Sequence, residues 1–347
     1  MLKKDILSIP KVVLHDHLDG GLRSQTIIEL ADNYNISLPE KNSQKLLEWF
    51  SEEFSSKDFD KCFDSFNVAC SVMQTVEAIE RVAFEFAEDH ALENVIYVEA
   101  RFCPFFHREK GLSYDQIIES IAKGFSRAKQ KYDIETGILV CGMYHFTDDT
   151  NLELAKLCLK HNEIVGYDFA GMDLNGSVST AHPKTISFLQ ENNIDFTIHS
   201  GEFSNIQNIK DSILTGAKRI GHACNLYKTV DNDLLREVVG LLIDKNVHIE
   251  SNVSSNLALG IVDSFENHPY QRMFGDNINV ALNTDDRLML NNISITDEYY
   301  SAHLKNNLSF SSMVIMNLNA AKAAFIKGDK KEKIVTKVKA FAESEIL

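Results

Sequence analysis

Residues 11–17, Lys-Val-Val-Leu-His-Asp-His, form an apolar run that ends in two histidines and an aspartate. A short run of β-branched and other apolar residues is typical of a buried strand. Because side chains two positions apart on a strand lie on the same face, His15 and His17 share one face. In a barrel strand that face is the interior, and active sites form at the carboxyl ends of the strands. The pair of histidines therefore favours a metal site at the end of this strand.

Seven more apolar stretches follow, and most are separated by residues with helical periodicity. They are Val95–Phe102, Gly137–His145, Ile164–Ala170, Phe196–His199, Arg219–His222, Val247–Ser251 and Ile278–Asn283. Strands that alternate repeatedly with helices are typical of a parallel sheet. Eight such units in 347 residues favour the α/β class and a (β/α)8 barrel of the TIM type over an open doubly wound sheet. No Gly-x-Gly-x-x-Gly motif follows a strand, which weakens a dinucleotide-binding alternative.

The interval from Ser24 to Asn94 is too long for one crossover helix and predicts a helical insertion after the first strand. Aromatic residues are frequent there, among them Phe59 and Phe63. They either pack helices against the barrel or form a lid over its mouth, and the two roles are compatible. No linker rich in Pro, Gly or Ser divides the chain, so we predict one domain over residues 1–347.

Composition argues against several kinds of partner. The formal net charge of −15 opposes binding to nucleic acid, because phosphate contacts need clustered Lys and Arg. The chain has no apolar run of about 18 residues or more, which argues against a membrane span. The 6 cysteines form no Cys-x-x-Cys pair, and the N-terminus does not resemble a secretory signal. We therefore expect a cytoplasmic protein that acts on a small molecule; these features predict no oligomeric state.

Ionisable residues stand at the ends of four predicted strands. They are His15 and His17 at the first strand, His199 and Glu202 at the fifth, His222 at the sixth, and Asp285 and Asp286 at the eighth. Burial of such groups is costly unless they are paired or bind a metal, and one metal site explains them together. Imidazole and carboxylate ligands suit zinc, although iron, cobalt, nickel or manganese could occupy the same set. The ligands that we predict for one Zn²⁺ per chain are His15, His17, His199 and Asp285. Glu202 and His222 remain free for proton transfer.

Six segments carry a resemblance to a known family, and they occur in that family's order and spacing. The segments are Pro10–Arg23, Val98–Phe102, Gly166–Gly171, Thr197–Glu202, Arg219–His222 and Asn283–Met289. The set covers most of the chain and resembles the adenosine deaminase family of the amidohydrolase superfamily, most closely its bacterial members. The resemblance implies a zinc-dependent hydrolase that converts adenosine, and also 2′-deoxyadenosine, to inosine or its deoxy form plus ammonia.

Catalytic roles follow from the same resemblance. It implies that Glu202 supplies a proton to purine N1 and that His222 orients the attacking hydroxide generated at zinc. Asp285 would bind zinc and also accept a hydrogen bond from the attacking water. A protonated Glu202 is needed for its role, and a closed pocket near other carboxylates favours that form by raising the pKa.

The resemblance also implies residues that bind substrate. Asp286 would contact purine N7, the Gly171 backbone N–H would face N3, Asp19 would hold a ribose hydroxyl, and His17 would lie beside the substrate. The chain departs from the family's pattern most clearly at Glu250–Asn256. There, Glu-Ser-Asn-Val-Ser-Ser-Asn replaces the more usual Glu-Val-Cys-Pro-x-Ser-Asn, a change that bears on substrate selectivity.

Three alternative functions remain. A sibling deaminase could act on adenine, on an adenosine nucleotide or on another 6-aminopurine such as aminodeoxyfutalosine, although Asp19 would repel a 5′-phosphate and would have no partner in free adenine. Another amidohydrolase reaction, on a cyclic amide or ester, is disfavoured by the spacing of Glu202 from His199. A barrel that only binds ligands is disfavoured because it needs neither Glu202 nor His222.

Overall fold

Eight parallel strands pair in the order of the chain, from β1 beside β2 to β7 beside β8. The strands are β1 (Lys11–His17), β2 (Val95–Phe102), β3 (Glu135–Met143), β4 (Ile164–Ala170), β5 (Phe196–Ser200), β6 (Arg219–His222), β7 (His248–Ser251) and β8 (Val280–Leu282). This arrangement, in a computed structural model that describes residues 1–173 and 176–345, confirms the (β/α)8 barrel of the TIM type. β3 begins at Glu135, before the predicted start, because its pairing with β2 includes polar residues. That residues 1–347 form one domain stays a prediction.

Helices follow most of the strands and surround the barrel. They are α1 (Lys3–Leu7), α2 (Ser24–Tyr34), α3 (Ser43–Phe54), α4 (Phe59–Ser71), α5 (Val76–Leu92), α6 (Tyr114–Lys129), α7 (Asp148–Ala155), α8 (Val178–Ala181), α9 (Pro183–Glu191), α10 (Ile206–Leu214), α11 (Asn232–Asp244), α12 (Val253–Ala258), α13 (Tyr270–Gly275), α14 (Ile295–Asn306), α15 (Phe310–Ala323) and α16 (Gly328–Glu345). Short 3₁₀ helices span Pro104–His107, Lys156–Leu159 and Leu288–Leu290. Helices α2 to α5 lie between β1 and β2, the interval predicted to hold an insertion. Within the described ranges, no helix has the length and apolar character needed to cross a membrane.

Local side-chain chemistry determines where several helices begin. The Thr75 hydroxyl accepts a hydrogen bond from the Ala78 N–H at the start of α5. At the start of α6, the Ser113 hydroxyl accepts from the Gln116 N–H, and the Gln116 side chain accepts from the Ser113 N–H. These are N-caps, and the second is a capping box that satisfies two otherwise free donors.

The first strand is joined to the segment after β8 by main-chain hydrogen bonds. The His17 N–H donates to the Asp285 carbonyl at 2.8 Å, and the Asp285 N–H donates to the His15 carbonyl at 3.0 Å. Nearby, the Asn283 side-chain oxygen accepts from the N–H groups of Leu14 and His15 at 2.8 and 3.0 Å. Three of the four predicted metal ligands are therefore positioned by closure of the barrel itself.

A buried network of charges fills the barrel beneath the carboxyl ends of its strands. Arg101 donates to Asp168 at 2.9 Å and to Glu250 at 2.7 Å. Arg219 Nε lies 2.6 Å from the other oxygen of Glu250, and its Nη2 lies 2.5 Å from Glu99. All five side chains are fully buried. Burial of a charge is costly unless it is paired, so the two arginines and three carboxylates depend on one another.

Replacement of Arg219 by methionine should lower the free energy of unfolding by about 3–5 kcal/mol, because Glu99 and Glu250 lose a buried counter-charge. Urea unfolding followed by circular dichroism measures the change. The control is Lys337→Met, which removes an exposed ion pair with Asp133 and should cost less than about 1 kcal/mol. Equal losses in the two variants would contradict the dependence of the buried carboxylates on Arg219.

Candidate active site

A cavity of about 310 Å³ opens at the carboxyl ends of the strands. Histidines and carboxylates from the strand ends line one part of it, and apolar side chains form another wall. The apolar wall includes Phe54 of α3 and Phe63 and Phe66 of α4, so the helices after β1 contribute to the cavity. Phe63 is 40% exposed, which is consistent with a place at the cavity mouth. The side chain of Phe59, the other aromatic residue considered for a lid, lies outside the described part of the chain.

The four predicted metal ligands lie together at this cavity, and His17, His199 and Asp285 line it. His15, His17, His199 and Asp285 each offer one ligand atom, and these atoms lie within 4.8 Å of one another. Asp285 Oδ1 lies 3.0 Å from His15 Nε2 and 3.5 Å from His17 Nε2. Among the described residues, the buried His15 Nε2 has no hydrogen-bond partner, although Asp285 Oδ1 is only 3.0 Å away. This geometry fits two ligands that face a common cation.

Hydrogen bonds on the outer ring nitrogens orient two of the histidines. His15 Nδ1 lies 2.9 Å from Glu250 Oε2, and His199 Nδ1 lies 3.1 Å from the Phe169 carbonyl oxygen. Because a carboxylate or carbonyl only accepts, both Nδ1 atoms carry the proton and donate. Each Nε2 lone pair is therefore free to bind a metal, and this arrangement is typical of zinc-binding histidines.

The backbone is strained at two of the polar strand ends. His222 has φ 68° and Asp285 has φ 62°, in the left-handed region that non-glycine residues rarely adopt. Such a conformation costs on the order of 1–3 kcal/mol and persists only where the surrounding structure enforces it. At Asp285 the two main-chain hydrogen bonds to β1 supply that constraint. Backbone strain of this kind is frequent at catalytic residues, and here it occurs at two residues predicted to be catalytic.

Asn256 of α12 is held in one orientation by its neighbours. His268 Nδ1 accepts from the Tyr270 N–H at 3.3 Å, so in the neutral ring the proton is on Nε2, which donates to Asn256 Oδ1 at 3.1 Å. With its oxygen occupied in this way, the Asn256 amide nitrogen faces Glu202 Oε1 at 3.1 Å and His222 Nδ1 at 3.0 Å. Asn256 therefore donates to both of the residues predicted to transfer protons.

His222 and Glu202 share the Asn256 amide as a donor, and His222 Nδ1 lies 3.2 Å from Glu202 Oε1. His222 Nδ1 accepts from Asn256, so a neutral His222 carries its proton on Nε2, which lies 4.0 Å from Asp285 Oδ2. Glu202 Oε1 likewise accepts from Asn256, which leaves Oε2 as the site for a proton. Burial, together with the charges of Asp285 and Asp173, raises the pKa of Glu202 well above its usual value. Burial also lowers the pKa of His222 well below its usual value.

The predicted substrate-binding residues also border the cavity, which is lined by His17, Asp19, Gly171 and Asp286. Burial and the charges of Asp285 and Asp19 raise the pKa of Asp286 well above its usual value, which favours a protonated carboxyl group. Gly20 is required beside it, because a Cβ atom there would lie 1.9 Å from Asp286 Oδ1. Gly171 has φ +88°, a conformation that suits glycine and turns its backbone at the end of β4.

Several residues that support the site have no role predicted from the sequence. Glu250 contacts His15, and Asp168 contacts His199. In the sequence, neither carboxylate differs from any other polar residue within a strand. Asn256 and Asn252 also support the site, and both lie in the segment Glu250–Asn256, which departs from the pattern of the resembled family. The Asn252 amide lies 3.3 Å from His222 Nδ1. Asn252 occupies the position where the resembled family more often has cysteine, which was the one available signal.

Comparisons with known proteins give the family and the fold of this chain. The family model described as adenosine deaminase matches residues 10–341. The adenosine deaminase of Clostridium perfringens strain 13 is 34% identical over 333 residues, which cover 95% of this chain and 98% of that protein. A solved structure of an adenine deaminase from Arthrobacter aurescens shares the fold with a TM-score of 0.86 and 20% identity, and the match covers 97% of this chain and 100% of that chain. A solved structure of an amidohydrolase from Burkholderia ambifaria with bound zinc shares it with a TM-score of 0.84 and 17% identity, and the match covers 99% of this chain and 94% of that chain. With a match over nearly its whole length, the chain belongs to the adenosine deaminase family.

Proposed function

We propose that this protein hydrolyses adenosine, and also 2′-deoxyadenosine, to inosine or its deoxy form plus ammonia. The observation that carries the proposal is the convergence of four metal-ligand atoms at a cavity that Glu202 and His222 also line. The adenosine deaminase of Clostridium perfringens supports adenosine as the substrate, because it is similar to this chain over almost its full length. A cytoplasmic location and one zinc ion per chain are parts of the same proposal.

Zinc would be held by His15, His17, His199 and Asp285, whose nitrogen and oxygen donors suit this ion. When bound, zinc would supply a water with a pKa lowered toward about 7 and thus a nucleophile at neutral pH. The bound zinc in the Burkholderia ambifaria amidohydrolase, which has the same fold, supports this assignment. Glu250 would strengthen the site by holding His15 in the required tautomer.

Glu202 would donate its proton to purine N1 as C6 is attacked. The ring carbon is weakly electrophilic, so negative charge that builds on N1 has to be neutralised. The raised pKa of Glu202 keeps its proton available, and the Asn256 amide leaves Oε2 as the donor atom. His222, with its proton on Nε2, would orient the attacking water from the side of Asp285, whose carboxylate would accept a hydrogen bond from the same water.

Substrate recognition would use hydrogen-bond donors toward the purine and an acceptor toward the ribose. A protonated Asp286 would donate to N7, and the Gly171 backbone N–H would donate to N3. Asp19 and His17 line the same cavity. Asp19 would accept a hydrogen bond from a ribose hydroxyl group, and His17 would lie beside the ribose. Among the described residues that line the cavity there is no lysine or arginine, so a nucleotide phosphate would find no counter-charge. The cavity chemistry therefore favours a nucleoside over a nucleotide.

The test is an assay of the purified, zinc-loaded protein with adenosine, followed by the ultraviolet change on conversion to inosine. 2′-Deoxyadenosine, adenine and adenosine monophosphate are assayed in parallel. We expect turnover of the two nucleosides and a kcat/KM for adenosine that exceeds those for adenine and the nucleotide. Turnover of adenine or the nucleotide alone would reject adenosine as the substrate and retain deamination. No turnover of any aminopurine by protein shown to contain zinc would reject the proposed reaction.

Asn256→Ala should lower kcat by on the order of 10- to 100-fold, because Glu202 and His222 lose the donor that fixes their orientation. Zinc content should remain that of the unmodified protein, since Asn256 is not among the proposed ligands. Steady-state kinetics and elemental analysis measure the two effects. His268→Ala is the matched test, because it removes the group that fixes the Asn256 amide. An unchanged kcat in both variants would remove Asn256 from the proposed mechanism.

A further inference from the structure

A second group of metal-ligating side chains lies in the wall of the cavity. Asp19, Cys70 and His107 each offer one ligand atom, and these atoms lie within 4.8 Å of one another. The three residues are 5%, 8% and 0% exposed. They come from the loop after β1, from α4 and from the 3₁₀ helix Pro104–His107. We propose that this group binds a second divalent cation of the kind that accepts thiolate ligands, such as Zn²⁺ or Cd²⁺.

The hydrogen bonds of His107 leave one ring nitrogen directed at the group. His107 Nδ1 lies 3.2 Å from the Met73 carbonyl oxygen, so Nδ1 carries a proton and donates. In the neutral ring, Nε2 then presents a lone pair 3.6 Å from Asp19 Oδ2. Within the described ranges, His107 Nε2 and Asp19 Oδ1 have no hydrogen-bond partner. His107 Nε2 is thus a buried acceptor that has no donor and faces a carboxylate oxygen, and a cation between these two atoms would satisfy both.

The separation of His107 Nε2 and Asp19 Oδ2 is longer than a direct hydrogen bond and fits two ligands of one metal ion. A charge-assisted hydrogen bond between a histidine and a carboxylate spans about 2.7–2.9 Å. Two ligands of a tetrahedral zinc ion, each about 2.1 Å from the metal, lie about 3.4 Å apart. The observed 3.6 Å between His107 Nε2 and Asp19 Oδ2 is close to the second value.

The chemistry of the three ligands selects the class of cation. Thiol, imidazole and carboxylate groups together suit zinc and its thiophilic relatives, whereas Mg²⁺ and Ca²⁺ prefer oxygen ligands only. On binding, the Cys70 thiol would lose its proton to solvent and its sulfur would bond to the metal. Three protein ligands leave a fourth position for water.

A cation bound by Asp19, Cys70 and His107 would lie within the cavity proposed to bind the substrate. Asp19 and Cys70 both line the cavity, and Asp19 Oδ1 lies 4.0 Å from His17 Nδ1. A cation here would occupy the space beside Asp19 that the proposed function gives to the ribose. We therefore expect excess zinc or cadmium to compete with the nucleoside; this expectation rests on the proposed function, whereas binding of the cation does not.

The binding test adds Cd²⁺ to protein that already contains one equivalent of zinc. We expect a second equivalent of metal by equilibrium dialysis and an ultraviolet charge-transfer absorption from a cadmium–thiolate bond. The four proposed zinc ligands include no sulfur, so exchange at that site adds no such absorption. Cys70→Ala should abolish the absorption. His107→Gln should weaken Cd²⁺ binding at least tenfold, because loss of a residue that only orients a metal ligand already lowers metal affinity about 10- to 100-fold.

Cys103→Ala is the matched control, because Cys103 is also buried and lines the cavity but is outside the group. Its absorption should equal that of the unmodified protein. Absence of a second equivalent, or an absorption that survives in Cys70→Ala, would overturn the proposal. Kinetics separate this result from the proposed function: Cd²⁺ should raise KM for adenosine without lowering kcat, and His107→Gln should weaken that inhibition. A second equivalent in protein without deaminase activity would keep the metal group and reject the proposed reaction.

Discussion

Replacement of Glu202 by glutamine is expected to lower kcat for adenosine by on the order of a hundredfold or more, with the metal retained. Glutamine has nearly the same shape and can still lie beside Asn256, but it has no carboxyl proton to give to purine N1. The loss should appear in kcat more than in KM, because the proton is needed as charge develops on the ring. Kinetics measures the loss of turnover, and elemental analysis of the same preparation measures the metal that is retained.

The control for this variant is Glu109→Gln, which changes a glutamate outside the cavity lining. Its backbone N–H donates to the Gln74 side chain, a contact that the substitution leaves intact. We expect its kcat to equal that of the unmodified protein. Activity of Glu202→Gln within a factor of about three of normal would reject Glu202 as the proton donor, because a positioned acid contributes about 10²–10⁴-fold.

His17→Ala is expected to remove most of the bound zinc and with it nearly all activity. His17 Nε2 lies 3.5 Å from Asp285 Oδ1 among the four proposed ligand atoms, and alanine offers no donor in its place. Loss of a partner that only orients a ligand costs about 10- to 100-fold in metal affinity, so loss of a ligand should cost more. Elemental analysis after dialysis against a weak chelator gives the zinc content per chain.

His145→Ala is the comparison for His17→Ala, since His145 also lines the cavity but is not among the predicted ligands. Its zinc content should match that of the unmodified protein. Added zinc at high concentration should partly restore the activity of His17→Ala if weakened metal binding is the cause. Full zinc content in dialysed His17→Ala would remove His17 from the ligand set.

The barrel was predictable because each strand is buried on both faces and therefore reads as an apolar run. His15, His17 and His199 could be singled out for a related reason, since a polar residue near the carboxyl end of a barrel strand borders the site. Segments between strands were less predictable. The four helices from α2 to α5 follow β1 in the chain, but which of their aromatic side chains reach the cavity depends on how the helices pack.

By itself, the sequence determined the order of the strands, the helical insertion after the first of them, and the residues proposed to bind metal and transfer protons. Those features depend on periodicity and on position along a strand, which are local properties of the chain. Only the tertiary structure decided that Asn256 donates to both Glu202 and His222, and that His107 approaches Asp19 and Cys70. Each of these contacts joins residues far apart in the chain. Their distances depend on how helices and loops pack against the barrel, which no local pattern of residues specifies.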